Sequence, residues 1–254
     1  MNTVLITGAS AGIGYEFARI FAENGWRLII AARRPEKLEA AAQKLRREYD
    51  AEVYDFPADL SKPDGPAQLY ERIISEGLQV DALINNAGSG CYGKFVETDP
   101  KEFHRMISLN ITGLTLLTRC ILPDMIARGS GKILNVSSLG GFQPDPFGAV
   151  YGATKAYELM LTESLYGELI GTGVTVTALC PGPTKSEFAE ISGKREAGFA
   201  ADTRAVAKAG YRALMRGKLV EVPTCKYKME TAAMKLISIK LRARIVRIWQ
   251  SRQK

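Results

Sequence analysis

The run Thr3-Val4-Leu5-Ile6-Thr7-Gly8-Ala9-Ser10-Ala11-Gly12-Ile13-Gly14 decides the fold. Thr3 to Thr7 reads as a short apolar strand. It breaks into glycines spaced G-x-x-x-G-x-G, and apolar residues then recur at Ile13, Phe17, Ile20 and Phe21, the spacing of one helix face. Strand, glycine turn and helix in that order make a phosphate cradle. Glycines let the backbone approach a pyrophosphate, and the helix N-terminus offers free N–H groups and a partial positive charge. Gly8, Ser10, Ala11, Gly12, Ile13 and Gly14 are therefore read as part of a dinucleotide site.

The same alternation continues outward from this stretch. Arg27 to Ala32 is a continuous apolar run, as in a strand buried on both faces. Further strands are predicted over Glu52–Phe56, Ala82–Asn85, Lys132–Val136, Val174–Leu179 and Leu219–Val222. Helices are predicted from Pro35, over Pro66–Glu76, from Asp99 to about Arg128, over Ala149–Ile170 and over Thr203–Met215. Strands alternating with helices predict an α/β fold with a doubly wound, Rossmann-like parallel sheet of about seven strands. Residues 1–222 form a single dinucleotide-binding catalytic domain on this reading, and 223–254 a basic helical extension.

The bulk numbers fit one domain. The chain has 254 residues, 46% of them hydrophobic, enough for a sizeable core. No stretch reaches the ~18 uninterrupted apolar residues of a membrane span. Met1 to Gly8 lacks a basic start and a long apolar segment, so no secretory leader and a cytoplasmic location are expected. Cys91, Cys120, Cys180 and Cys225 form no CxxC, and His104 is the sole histidine, so no metal site is expected. The net charge of +7 is uneven. Residues 226–254 hold nine Lys/Arg and one acid, +8, whereas residues 1–225 hold 25 basic and 26 acidic residues, −1. A near-neutral body argues against nucleic-acid binding.

Tyr151 and Lys155 stand one helical turn apart and share a face. A free phenol titrates near ~10, and moving it to about 7 takes roughly 4 kcal/mol. An ammonium about 4 Å away at an effective dielectric of ~20 supplies that much. Tyr151 is thus a candidate proton donor. The region about 20 residues past the glycines, where an NAD site carries an acid, reads Ala31-Ala32-Arg33-Arg34. An arginine there suits a 2′-phosphate, so NADP(H) is the expected cofactor, with Arg33 the first contact and Arg34 the second.

With these motifs in order, residues 1–222 resemble the short-chain dehydrogenase/reductase family. Thr7 to Gly14 matches its cofactor loop, Asp59-Leu60 its adenine-side acid, and Asn85-Asn86-Ala87-Gly88 its sheet-steadying motif. Asn110 matches its helix-borne asparagine, and Ser138 lies thirteen residues before Tyr151, the family's serine–tyrosine interval. Pro181-Gly182 resembles the nicotinamide-side loop, with Thr184 as a carboxamide contact. The resemblance implies hydride transfer between NADP(H) and a carbonyl or secondary alcohol. Tyr151 would be the acid/base, Lys155 its electrostatic aid and ribose contact, Ser138 the oxyanion donor and Asn110 the anchor of a proton path. It also implies a homodimer or higher homo-oligomer, with the helices 100–128 and 149–170 suggesting the dimer. Asp59 stands equally where an N-cap would, and Ser137 reads as a strand-end hydroxyl rather than a rival to Ser138.

Three loops, 88–95, 139–150 and 183–200, are expected to line a substrate pocket with Tyr92, Phe142, Phe147, Phe188 and Phe199, pointing to a small apolar or lipid-like substrate. From Thr224 the chain reads as one long helix with Met234, Ile237, Leu241, Ile245 and Ile248 on a face flanked by basic residues. It packs on the body, on a neighbouring subunit, or on an anionic membrane. The competing function is a non-catalytic nucleotide sensor or scaffold.

Overall fold

The structure, a computed structural model, describes residues 1–193 and 200–251, the Lys235 side chain excepted. Seven strands form one sheet: β1 (Thr3–Thr7), β2 (Arg27–Ala32), β3 (Val53–Pro57), β4 (Ala82–Asn85), β5 (Gly131–Val136), β6 (Val174–Leu179) and β7 (Val220–Glu221). Their order is β3-β2-β1-β4-β5-β6-β7, every pairing parallel. Chain order reverses beside β1, between β1 and β4, the switch point at which such sheets open a crevice.

Alternation along the strands divides the core into two layers. On one face Val4, Ile6, Leu28 and Ile30 pack against α1 (Gly12–Glu23), α2 (Pro35–Tyr49) and α8 (Thr203–Met215), through Phe17, Phe21, Leu38, Leu45, Val206 and Leu214. On the other Leu5, Ile29, Leu83 and Ile133 meet α3 (Gly65–Ser75) and α5 (Leu114–Ala127) through Leu69, Ile73, Leu117, Ile121 and Met125. Both faces are covered, which is why β1 and β2 read as unbroken apolar runs. Fully burying a side chain such as Phe17 or Phe21 contributes roughly 1.5–3 kcal/mol.

The helix expected over 100–128 has a wide turn within it. Regular helix α4 (Pro100–Met106), opened by the Asp99 carboxylate accepting from the Lys101 N–H, passes into a π-helical segment, Ile107–Gly113, before α5 begins. A Cβ on Gly113 would lie 2.4 Å from the Leu60 carbonyl oxygen, so this glycine lets the segment press against the loop after β3. The wide turn carries Asn110 inward, where it is fully buried. The run Pro100–Ala127 is, among the described residues, the one helix long and apolar enough to cross a membrane; its buried face lies on the sheet.

The tail departs most from expectation. It is two helices, α9 (Cys225–Lys235) and α10 (Ile239–Ser251), broken at 236–238. Ser238 causes the restart: its hydroxyl accepts from the Leu241 N–H and its carbonyl from the Arg242 N–H. The apolar face read across this break is therefore not continuous. Short helices also appear at Phe95–Glu97, Leu139–Phe142 and α7 (Glu187–Ile191).

Candidate active site

The loops at the carboxyl ends of the strands surround a cavity of about 790 Å³. One half is the cradle. Gly8 and Gly12 have φ of 66° and 57°, a region open to glycine, and a Cβ on Gly14 would lie 2.4 Å from the Gly8 carbonyl oxygen. Gly8, Ser10, Ala11, Gly12 and Ile13 line the cavity; Gly14 does not, and its part is the close approach of α1 to the turn. Asn86 holds the turn from the side: its amide donates to the Thr7 and Gly8 carbonyls at 2.9 and 3.2 Å. The Thr7 hydroxyl accepts from the Asn86 and Ala87 N–H groups, both at 3.0 Å.

Arg33 and Arg34 lie on the same wall, with Ala87, Gly88, Asp59 and Leu60. Arg34 has a partner in Glu187 of α7 at 3.8 Å, and Lys37 approaches the same carboxylate at 3.3 Å. Asp59 is not a helix cap. Its carboxylate accepts from the Ser61 N–H and hydroxyl, an Asx-type turn, and Asp64 stands at the N-cap position of α3. Burial alone would raise the Asp59 carboxyl, but the Ser61 hydrogen bonds and the Arg33 charge bring it below its ordinary value.

The other half gathers Ser138, Tyr151 and Lys155 on one cavity wall. Tyr151 and Lys155 belong to α6 (Ala149–Glu168), and Ser138 follows β5. Lys155 Nζ is 5.7 Å from the Tyr151 ring centroid, and Ser138 hydrogen-bonds the phenol. Ser137 is buried and donates to the Lys155 carbonyl at 2.7 Å, the strand-end role expected of it. Pro181, Gly182 and Thr184 line the cavity, and the Thr184 hydroxyl donates to the Gly182 carbonyl at 2.9 Å.

Asn110 does not reach the cavity. Its amide donates to the Ser89 carbonyl and the Thr154 hydroxyl at 2.9 and 3.0 Å, and its oxygen accepts from the Ser89 N–H. Asn85 is also occupied internally. It donates to Thr118 and Asn135, and Asn135 donates to Thr162, a buried polar chain tying α5, the sheet and α6 together.

The electrostatics correct one expectation. Burial pushes the Tyr151 phenol above its ordinary value; the Lys155 charge and the Ser138 hydrogen bond offset this only in part, and Glu158 and Asp145 add to the rise. The expected fall toward neutrality is absent because burial outweighs Lys155 and Ser138, and Lys155 is itself shared with Glu158. Lys155 Nζ donates to Glu158 Oε1 and Oε2 at 2.9 and 3.0 Å and to the Val136 carbonyl at 2.9 Å. Burial would lower Lys155, but the Glu158 carboxylate raises it overall, while burial pushes Glu158 up to about 7 against the pull of Lys155. Glu158 lies outside the family motif. Its signal in the sequence is an acid three residues beyond Lys155 on the same helix face.

Tyr92 and Phe188 flank the Tyr151 ring, each with its centroid 5.6 Å away. Phe147 instead faces a second, smaller hollow, and Phe142 packs on the core behind Leu159 and Cys180. Phe199 lies outside the described residues. The roof comes from the tail. Tyr227, Met234, Ile245, Val246, Trp249 and Gln250 all line the cavity, and Gln250 hydrogen-bonds Asp145. A Cβ on Gly182 would lie 2.4 Å from the Tyr227 ring, so that glycine is what lets α9 sit on the β6 loop. Met234 and Ile245 stand on the predicted apolar helix face, but nothing in the sequence places them or the others at the cavity, because their place depends on how a distant segment folds back.

With this geometry in hand, comparisons with known proteins fix the family. The family profile described as short chain dehydrogenase matches residues 2–197. Sulfoacetaldehyde reductase 2 of Chromohalobacter salexigens is 37% identical over 189 residues, 74% of each chain. A short-chain dehydrogenase from Sphingobium yanoikuyae, solved in complex with NADPH, superposes with a TM-score of 0.84 at 34% identity, over 92% of this chain and 94% of that one. A bulky-bulky ketone specific alcohol dehydrogenase from Comamonas testosteroni gives a TM-score of 0.80 at 31% identity over 93% of both chains. The chain belongs to the short-chain dehydrogenase/reductase family. It is an oxidoreductase that uses a nicotinamide dinucleotide and a small-molecule substrate.

Proposed function

We propose that this protein is an NADP(H)-dependent reductase of bulky, apolar ketones, reversible to the secondary alcohols, with Tyr151 exchanging the proton. The observation that carries the reading is the placement of Tyr151, with Ser138 and Lys155, in the same cavity as the glycine cradle and Arg33. The cradle fits a dinucleotide, since side chains at Gly8, Gly12 or Gly14 would strain the turn or fill the space a pyrophosphate needs. Arg33, with Arg34 beside it, would bind a 2′-phosphate; Arg34 is already shared with Glu187, which leaves Arg33 the main contact. The bound nicotinamide supplies or accepts the hydride.

The protein's own residues handle the oxygen. Tyr151 donates its proton to the carbonyl oxygen as negative charge grows there. Ser138 donates a hydrogen bond to the same oxygen and so favours the charged transition state. Lys155 stabilises the phenolate left behind. A phenol held above its ordinary value stays protonated at neutral pH, which suits reduction; alcohol oxidation needs the phenolate and gains as pH rises. Asn110 acts indirectly, holding the Ser89 loop and Thr154 in place. The Tyr92, Phe188, Val246 and Trp249 walls favour an apolar substrate and exclude water. The outward apolar residues of α5 and α6, Leu116, Met160 and Tyr166, are where we place a homodimer contact.

The test is NADPH oxidation by the purified protein against aryl and long-chain alkyl ketones, with Tyr151→Phe as control. Turnover of bulky ketones that the variant loses supports the reading. NADPH binding without turnover of any carbonyl or alcohol would favour the sensor alternative.

A further inference from the structure

The tail has an inner and an outer face. The inner face closes the cavity, as described. The outer face of α10 carries two adjoining strips. Leu241 and Ile248 are 46% and 57% exposed and lie outside the cavity lining, while Ile245 and Trp249, which also line the cavity, keep 43% and 38% of their surface exposed beside them. At about 100° per residue these four occupy an arc of about 100°, and exposed Lys240, Arg244 and Arg247 fill the next arc of about 60°. Leu236 and Ile239, 89% and 64% exposed, extend the apolar strip through the turn before α10. No acid occurs in α10. Nothing in the described residues covers this surface.

Charge selects its occupant. Lys240, Arg244 and Arg247 stand on this face with no acid in α10, within a segment, 226–254, that carries +8 beside a body of −1. A second copy would set one cationic strip against another. A nucleic acid would pair with the cations and leave the leucine and isoleucines in water. A bilayer with anionic headgroups satisfies both strips, taking the aliphatic side chains and Trp249 at the interface and the arginines at the phosphates. We propose that the outer face of α10, with the turn leading into it, docks on an anionic lipid surface, and that the cavity roofed by this helix draws its substrate from that surface. The second half rests on the reading of the cavity as a site for apolar carbonyl compounds; the docking itself does not.

The test uses the full-length protein and two variants, Leu241→Asp/Ile248→Asp and Arg244→Glu/Arg247→Glu. Flotation is measured with vesicles of phosphatidylcholine alone and of equimolar phosphatidylglycerol and phosphatidylcholine, at low and raised salt. Circular dichroism and turnover of a water-soluble ketone run alongside. The unchanged protein floats with anionic vesicles only, less so at raised salt, and each variant lowers the bound fraction at least about tenfold. Folding and soluble turnover stay within about twofold, because the substituted side chains are neither core nor cavity. The proposal is overturned if the unchanged protein ignores both vesicles, if the variants float as it does, or if light scattering shows that they only dissociate an oligomer. Failure to turn over any carbonyl would sink the proposed activity and leave the flotation result standing.

Discussion

Lys155 and Glu158 form a buried ion pair within α6, with Nζ 2.9 and 3.0 Å from the two carboxylate oxygens. The lysine assigned to acidify Tyr151 is thus partly neutralised by its own neighbour. Charge reaching the phenol is the sum of an ammonium that lowers its pKa and a carboxylate that raises it. On the proposed mechanism, the pair makes the proton chemistry of this site depend on Glu158, which does not line the cavity.

Replacing Glu158 with Gln removes the raising influence. The Tyr151 pKa falls, phenolate forms at lower pH, and the rising limb of kcat/KM for alcohol oxidation moves to lower pH by about one unit. The pH profile of the variant checks this; an unmoved limb would show that the carboxylate has no electrical influence on the phenol. Glu158→Asp, which keeps the charge, restores most of the original profile.

Tyr151→Phe deletes the exchangeable proton and keeps the ring between Tyr92 and Phe188. Turnover falls on the order of 10³-fold, with the NADPH Kd within about twofold. Steady-state kinetics and fluorescence titration measure the two halves separately.

On the proposed NADP(H) reading, Arg33→Ala removes a charge-assisted contact to the 2′-phosphate. KM for NADPH rises about 10- to 100-fold, while KM for NADH changes by less than about twofold. Equal effects on both cofactors would remove the phosphate role. Arg34→Ala has a smaller effect, since Arg34 is already shared with Glu187.

Asn135→Ala breaks the chain across the sheet. Asn85 loses an acceptor and Thr162 a donor, both in the dry interior. Denaturant unfolding registers a loss of about 2–4 kcal/mol, the cost of leaving those groups unpaired.

The sheet and its order of elements were legible because each strand and helix advertises itself locally. Apolar runs mark Arg27–Ala32 and Val174–Leu179, and glycines mark the turn at Gly8. Spacing also named Ser138, Tyr151 and Lys155, which the structure brings to one wall. The π-helical segment at Asn110 was not legible, since no local pattern marks it and its close approach to the loop at Leu60 is a long-range contact.

Residue order alone specifies a parallel doubly wound sheet, a glycine turn after β1, and a tyrosine and lysine on one helix face. Those features follow from backbone periodicity and residue type within short windows. Long-range packing sets the rest: Glu158 is buried against Lys155, Tyr151 is held above its ordinary pKa, and the tail roofs the cavity. Each of these depends on desolvation, which is set by whatever distant segments pack around a group, and no local pattern encodes that.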